Sequence, residues 1–124
     1  MTAVSLQNIE KRYGSVPVCR VDRLDIGEGE VLTLLGPSGC GKTTTLRIIA
    51  GLVAQDSGEL YFGSRNVTDV PPERRNAAMV FQNYALFPHM TVRENVSFGL
   101  VVRKTPKKEV HRRVEAALEL VKLP

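Results

Sequence analysis

The sequence has few of the residues that mark secreted, metal-binding or membrane-spanning chains. Its two cysteines, Cys19 and Cys40, are too few for a disulfide framework and are not spaced as metal ligands. It contains no tryptophan, and no apolar run approaches the roughly 20 residues needed to span a membrane. The opening MTAVSLQNIEKRYG lacks the basic start and apolar core of a signal peptide. We therefore expect a cytosolic globular chain with reduced thiols.

An excess of one charge is also absent from most of the chain. The net charge of +4 lies entirely in residues 103–124, which hold seven basic and three acidic side chains. A basic tail can bind nucleic acid or anionic lipid. This tail has no aromatic residue on which a base could stack, so a solvated helix face is favoured and no nucleic-acid partner is expected.

Short apolar and alternating runs predict five strands. VLTLL and AAMVFQ are continuous apolar runs, typical of strands buried on both faces of a parallel sheet. AVSLQNIEKRY and VPVCRVDRLDI partly alternate, GEGE predicts a turn, and SGELYF predicts an edge or hairpin strand. The strands fall, in chain order, at residues 3–13, 16–26, 31–35, 57–62 and 77–82.

Three stretches predict helices, and VPPERRN between them predicts a loop. KTTTLRIIAGL predicts a helix that ends at Gly51, with Leu46, Ile49 and Ala50 on one face. Thr91 followed by Glu94 is a capping-box pattern. The two later helices carry apolar stripes, Val92, Val96 and Leu100 in the first and Val110, Val114, Ala117, Leu118 and Val121 in the second, which Thr105 and Pro106 open.

The stretch LLGPSGCGKTTTL matches the pattern G-x-x-x-x-G-K-[ST] between a predicted strand and a predicted helix. Gly36, Gly39 and Gly41 leave backbone N–H groups open to a polyphosphate. The helix that follows adds free N–H groups and its dipole. Lys42 can reach the β- and γ-phosphates, and the Thr43 hydroxyl suits Mg²⁺. The pattern therefore predicts a nucleotide phosphate site.

The chain resembles the N-terminal part of an ABC-transporter ATP-binding subunit. The stretches GPSGCGKTTTLRIIAGL and SGELYFGSRNVTDVPPERRNAAMVFQNYALFPHMTVRENVSFGL carry this resemblance. It is similar to the subunits of binding-protein-dependent importers for sugars, polyamines, ferric iron and sulfate. The implied fold is α/β: a partial P-loop NTPase core with an N-terminal antiparallel β portion and the start of a helical subdomain. The expected bounds within 1–124 are 1–30 for the β portion, 31–87 for the core and 88–124 for the helical part.

The resemblance also implies roles for individual residues. Tyr13 would stack on adenine, and Val18 would pack near the nucleotide. Gln82 would touch Mg²⁺ and the attacking water, so that Gln82 and Lys42 are the candidate catalytic residues and Thr43 and Gln82 the candidate metal ligands. The candidate contacts to ATP in the glycine loop and at the start of the helix are Gly36, Pro37, Ser38, Gly39, Cys40, Gly41, Lys42, Thr43 and Thr44.

Partners follow from the same resemblance. The segment NYALFPHMTV after Gln82 would meet membrane-spanning permease subunits, although its composition alone fits a loop packed on its own core. A second ATP-binding subunit would complete a dimer, and a solute-binding protein would act indirectly. The expected location is the cytoplasmic face of a prokaryotic cell membrane, as a peripheral subunit. Full-length relatives would couple ATP binding and hydrolysis to solute uptake.

Three expected parts of the family do not occur in these 124 residues: the LSGGQ signature, the Walker B strand and the switch histidine. We therefore expect these residues alone to bind ATP without hydrolysing it. The alternatives are a soluble P-loop kinase or GTPase, distinguished by base choice, a nucleic-acid-binding protein using the basic tail, and a non-hydrolysing fragment that binds nucleotide weakly.

Overall fold

An antiparallel sheet of four strands opens the chain in the computed structural model, which describes residues 2–123, with only the backbone of Thr2. The strand order is β2-β1-β3-β4. The chain divides into two compact units, one ending at Met79 and the other beginning at Val80. The strands and helices are β1 (Thr2–Tyr13), β2 (Val16–Gly27), α1 (Lys42–Ala50), β3 (Ser57–Phe62), β4 (Arg65–Asn66), α2 (Val92–Val102) and α3 (Lys107–Leu120).

An irregularity in β1 allows two residues three apart to enter the core together. Leu6 and Ile9 are both fully buried, although strict alternation would place them on opposite faces. The register with β3 shifts between Gln7 and Glu10, and Asn8 adopts a left-handed φ of 51°. A Cβ on Gly58, whose φ is +92°, would lie 2.3 Å from the Asn8 carbonyl oxygen. Glycine is therefore required opposite this bulge.

The core of the first unit lies between the sheet and α1. Ile48 of α1 is fully buried, and the inner face of the helix is completed by Thr45. The predicted apolar face was wrong in detail, because Leu46 remains 47% exposed while Ile49 only packs at the core margin. Gly51 ends the helix in the left-handed conformation, as predicted. The buried cluster consists of Leu6, Ile9, Cys19, Ile48, Leu60 and Val67.

The predicted loop 70–76 includes a single 3₁₀ turn, Pro72–Arg74, which is followed by the buried Arg75. The Arg75 guanidinium donates to the carbonyl oxygens of Ile48 (2.8 Å) and Val70 (2.6 Å). Burial lowers the pKa of Arg75, and Asp69 partly opposes this shift. Arg75 therefore caps the C-terminal carbonyls of α1 from a distant part of the chain.

Two strand predictions were wrong. Residues 31–35 and 77–82 have no regular secondary structure, and Val31 and Val80 are 92% and 85% exposed. Their side chains are apolar enough for buried strands, but a strand also needs neighbouring backbone partners. Within residues 2–123 the paired strands are all antiparallel, so the predicted parallel pairing does not form there.

The second unit contains α2 and α3, which contact each other. The capping box at Thr91 and Glu94 was confirmed, with reciprocal side-chain and backbone hydrogen bonds. Val114 and Leu118 of α3 are buried, whereas Val92, Val96 and Val121 of the predicted stripes are 60%, 40% and 61% exposed. No helix within residues 2–123 has both the length and the apolar character needed to cross a membrane.

Candidate functional site

The glycine loop before α1 adopts a backbone shape that other residues would not tolerate. Gly39 and Gly41 have φ values of +79° and +93°. A Cβ on Gly41 would lie 2.4 Å from the Val18 carbonyl oxygen, so the loop backbone runs directly against β2. The loop is thus wound tightly at the start of α1, and Gly41 occupies the second glycine position of the pattern G-x-x-x-x-G-K-[ST].

The N-terminus of α1 is open to an anion. Its N-cap residue, Gly41, provides no side-chain hydrogen bond, and the first turn contains no acidic residue. The N–H groups of a first helical turn have no intrahelical acceptor, and the helix dipole places partial positive charge there. A phosphate group would meet both needs at once.

Lys42 extends over the loop rather than away from it. Its Nζ donates to the carbonyl oxygens of Gly36 (2.6 Å) and Pro37 (2.7 Å) and lies 3.4 Å from Cys40 Sγ. None of the ion pairs found within residues 2–123 involves Lys42. The ammonium is therefore held beside the loop by neutral acceptors, which a phosphate oxygen would outcompete.

A hydroxyl and a thiol support the loop from the buried side. The Thr45 hydroxyl donates to the Gly41 carbonyl oxygen (2.9 Å), and Cys19 Sγ lies 3.2 Å from Thr45 Oγ1. Since the Thr45 proton is used on Gly41, the thiol is the donor in the second contact. Both residues are buried. This contact could not be predicted from the sequence, because the spacing of Cys19 and Thr45 does not indicate that β2 packs against α1.

A cleft of about 370 Å³ connects the loop to the end of β1. It has the size expected of a small-ligand site, and most of the predicted ATP contacts in this unit line it. The lining residues are Tyr13, Val18, Ser38, Gly39, Gly41, Lys42, Thr43 and Thr44.

Tyr13 and Val18 line the cleft from the neighbouring strands β1 and β2. Tyr13 is the last residue of β1, and its side chain is 56% exposed. Val18 follows in β2 and is half-buried. An exposed aromatic ring beside an apolar side chain provides a surface on which a planar base can stack.

The other predicted loop residues lie next to the cleft without lining it. A Cβ on Gly36 would come within 2.7 Å of Cys40 Sγ, so this glycine makes room for the thiol. Cys40 is exposed. Pro37 contributes its carbonyl oxygen to Lys42.

Gln82 belongs to the second unit, where it lies exposed in a turn. Its predicted place at the end of a strand was wrong, since residues 77–82 do not form one. Its contact with Mg²⁺ and water therefore stays a prediction.

Comparison with known proteins identifies the family of this chain. Residues 20–124 match the family described as ABC transporter. The chain belongs to the ABC transporter family. The glycine loop, Lys42 and the first turn of α1 all fall within the matched part.

Two curated relatives are import ATP-binding proteins. The chain is 52% identical over 122 residues to the spermidine/putrescine import ATP-binding protein of Methylococcus capsulatus, covering 98% of this chain and 32% of the relative. It is 50% identical over 124 residues to the sn-glycerol-3-phosphate import ATP-binding protein of Brucella abortus, covering 99% of this chain and 35% of the relative. The chain therefore spans about a third of the length of these relatives.

A solved structure supports the fold of this ABC-family chain. It is a dimeric ATP-binding cassette in a post-hydrolysis state, bound to ADP and Pi. The TM-score is 0.83 at 30% identity, covering 98% of this chain and 58% of the other. The fold is thus that of an ATP-binding cassette, of which the antiparallel sheet, the glycine loop and the helices described above form part.

Proposed function

We propose that this chain binds ATP as part of the ATPase subunit of an ABC importer. The proposal rests on one observation. An uncapped helix N-terminus, a glycine loop, Lys42 and an exposed tyrosine all line the same cleft. The first three features suit a polyphosphate, and the last suits a base. Membership of the ABC transporter family favours ATP as the nucleotide.

Backbone N–H groups at Gly39, Gly41 and the first turn of α1 would hold the phosphates. Lys42 Nζ would leave its carbonyl acceptors for phosphate oxygens, gaining charge-assisted hydrogen bonds. Tyr13 would stack on the adenine, and Val18 would pack near the nucleotide. In this arrangement Lys42 both anchors the nucleotide and neutralises charge on the group to be transferred.

Thr43 and Gln82 are the proposed Mg²⁺ ligands. The Thr43 side chain lines the cleft beside Lys42, and its hydroxyl oxygen is a suitable hard donor. Residues 2–123 contain no cluster of three or more His, Cys, Asp or Glu side chains that would form a metal site of their own. A hydroxyl oxygen and an amide oxygen suit a Mg²⁺ ion that is bound mainly by the nucleotide. The ion would neutralise charge on the phosphates. Gln82 would orient the attacking water.

The whole subunit would couple ATP hydrolysis to solute import across the cytoplasmic membrane. The proposal rests on the names of the two relatives, which denote import ATP-binding proteins. A second ATP-binding subunit is supported by the dimeric cassette of similar fold. Permease subunits would dock on the segment after Gln82, in which Tyr84 and Leu86 are 75% and 69% exposed. A solute-binding protein would act through the permease.

Calorimetric titration of the chain with Mg·ATP tests the nucleotide site. We expect saturable binding that Lys42→Ala weakens by about 10- to 100-fold, because a hydrogen bond to a charged group contributes about 1.5–3 kcal/mol. Lys108→Ala, which removes an exposed lysine from α3, is the matched control and should leave binding unchanged. Undiminished affinity in Lys42→Ala would refute the proposal, and a clear preference for Mg·GTP would favour another class of P-loop enzyme.

A further inference from the structure

The end of β1 that carries Tyr13 is held by Asp56, which bonds to the backbone of Arg12, 44 residues earlier in the chain. Asp56 Oδ2 accepts the Arg12 N–H at 2.6 Å. The Asp56 N–H in turn donates to the Glu10 carbonyl oxygen at 2.8 Å. Asp56 therefore bonds to the backbone of β1 on both sides of Lys11. The contact at Arg12 is one residue before the tyrosine.

The same carboxylate also holds a cation against the tyrosine ring. Lys11 Nζ lies 3.4 Å from Asp56 Oδ1 and 5.4 Å from the centroid of the Tyr13 ring. The Lys11 side chain is only 15% exposed, so it is packed rather than freely solvated. An ammonium within about 6 Å of a ring centroid is attracted to the ring face. Lys11 thus connects Asp56 to the position of the ring.

Tyr13 needs such support because of its place in the fold. It is the last residue of β1, its side chain is largely exposed, and the β1–β2 register shifts between Lys11 and Arg12. An unsupported ring at a strand end samples several rotamers and loses that freedom when a base stacks on it. Fixing the ring beforehand lowers the ordering cost of binding.

We propose that Asp56 and Lys11 are positioning residues that fix Tyr13 for stacking against the base of a bound nucleotide. This inference rests on the proposed function, because it requires a nucleotide in the cleft. Asp56 and Lys11 are absent from the lining of the cleft, so they act through the tyrosine. One face of the ring is covered by the Lys11 ammonium, and the other face takes the base.

A contribution to strand stability alone would make a different prediction. Loss of strand stability would weaken every ligand of the cleft to a similar degree. Loss of ring positioning weakens only ligands that carry a base. The informative quantity is therefore the ratio of the dissociation constant for Mg·tripolyphosphate to that for Mg·ATP, which isolates the contribution of the nucleoside.

Charge effects can be separated with two variants of opposite sign. Asp56→Asn removes a negative charge, which by itself favours binding of any anion, whereas Lys11→Met removes a positive charge and keeps the apolar stem. Both should lower the ratio if the two residues position the ring. Asp22→Asn is the matched control, since Asp22 is an exposed aspartate of the same sheet that pairs with Arg20.

The experiment is calorimetric titration of the chain and these variants with Mg·ATP and with Mg·tripolyphosphate. We expect the ratio to fall about five- to tenfold in Asp56→Ala, about threefold in Asp56→Asn and Lys11→Met, and not at all in Asp22→Asn. In a Tyr13→Ala background, Asp56→Ala should have no further effect on the ratio. An unchanged ratio in Asp56→Asn and Lys11→Met would overturn the inference.

The two proposals fail in different ways. If the chain binds Mg·ATP with dependence on Lys42 but the ratio is indifferent to Asp56, the ATP site stands and the positioning role is refuted. If the chain binds neither Mg·ATP nor Mg·tripolyphosphate, both are refuted together. Should Asp56→Ala unfold, the milder Asp56→Asn and Lys11→Met variants still decide the question.

Discussion

The cleft has a proposed phosphate end and a proposed base end, which are built from different kinds of contact. The phosphate end is built from backbone and from neighbouring residues, Gly36 to Thr44, with Lys42 extended across them. The base end is lined by Tyr13 and Val18, on two strands, and Lys11, which pairs with Asp56, lies over the Tyr13 ring. One end depends on how a short loop is wound, and the other on contacts between distant residues.

This difference predicts how mutations act at each end. At the phosphate end, a change in backbone geometry should remove affinity for every polyphosphate, because N–H groups cannot be replaced by side chains. At the base end, side-chain changes should affect nucleotides alone and by smaller factors, because stacking tolerates several aromatic rings.

Gly41→Ala should have the largest effect. The added Cβ would lie 2.4 Å from the Val18 carbonyl oxygen, at a φ of +93° that also strains an alanine. We expect at least about a 100-fold loss of affinity for both Mg·ATP and Mg·tripolyphosphate, measured by calorimetry, because the N–H groups of the loop are displaced.

Gly63→Ala is the control for backbone strain. Gly63 has a φ of +58° in the β3–β4 turn, and nothing lies within 4 Å of its added Cβ. This variant should bind both ligands like the parent chain. Normal Mg·ATP binding by folded Gly41→Ala would show that the loop geometry does not control the phosphate end.

Tyr13→Ala should have a smaller and more selective effect. Stacking of a base on an aromatic side chain contributes about 1–3 kcal/mol, so we expect roughly a tenfold loss of Mg·ATP affinity. Binding of Mg·tripolyphosphate should be unchanged, and Tyr13→Trp should retain ATP affinity. Tyr84→Ala, which removes a tyrosine that is 75% exposed in the second unit, is the control. An equal loss for both ligands would contradict the division of the cleft into two ends.

Thr91→Ala should leave the cleft unaffected. Thr91 belongs to the second unit, where its hydroxyl oxygen accepts the Glu94 N–H at 3.2 Å. Loss of an N-cap costs about 1 kcal/mol, which thermal unfolding followed by circular dichroism would detect. Affinity for Mg·ATP should remain that of the parent chain, and a loss there would mean that the cap of α2 influences the cleft.

The same cap predicts a dependence on pH. Hydrogen bonds from the Thr91 N–H and hydroxyl hold the pKa of Glu94 below its usual 4.5, although slight desolvation opposes them. A depressed pKa in the folded state means that the cap stabilises the chain above about pH 4.5 and loses this effect as the pH falls further. The unfolding temperature of Glu94→Ala, which lacks the carboxylate that accepts both hydrogen bonds, should therefore lie below that of the parent chain at neutral pH and approach it in acid.

The sequence predicts the glycine loop and the start of α1 well because their determinants are local. Three glycines, Lys42 and the start of α1 lie within residues 36–42, and each imposes its own backbone geometry or charge. Predicting the base end needed a family resemblance to single out Tyr13. Asp56 could not be predicted, because its role depends on the pairing of β1 with β3, which brings residue 56 beside residue 12.

The wrong strand predictions have a related cause. VLTLL at 31–35 has the apolar character of a buried strand, yet Val31 is 92% exposed. Composition reports what a segment would bury, whereas a strand forms only when other strands complete its hydrogen bonds. The bulge at Asn8 was not predicted either. It depends on close contact with Gly58 of the neighbouring strand, which the local sequence around Asn8 does not show.

In the proposed site, backbone N–H groups at the start of α1 hold the phosphates of ATP. The most direct test of this contact is a ¹⁵N–¹H correlation spectrum of the chain, recorded during titration with Mg·ATP. We predict that the amide signals of Gly39, Gly41, Lys42, Thr43 and Thr44 shift most, and that Mg·tripolyphosphate moves the same signals while leaving Tyr13 unchanged. Saturation with Mg·ATP that leaves these five amide signals at their original positions would show that these N–H groups do not hold the phosphates.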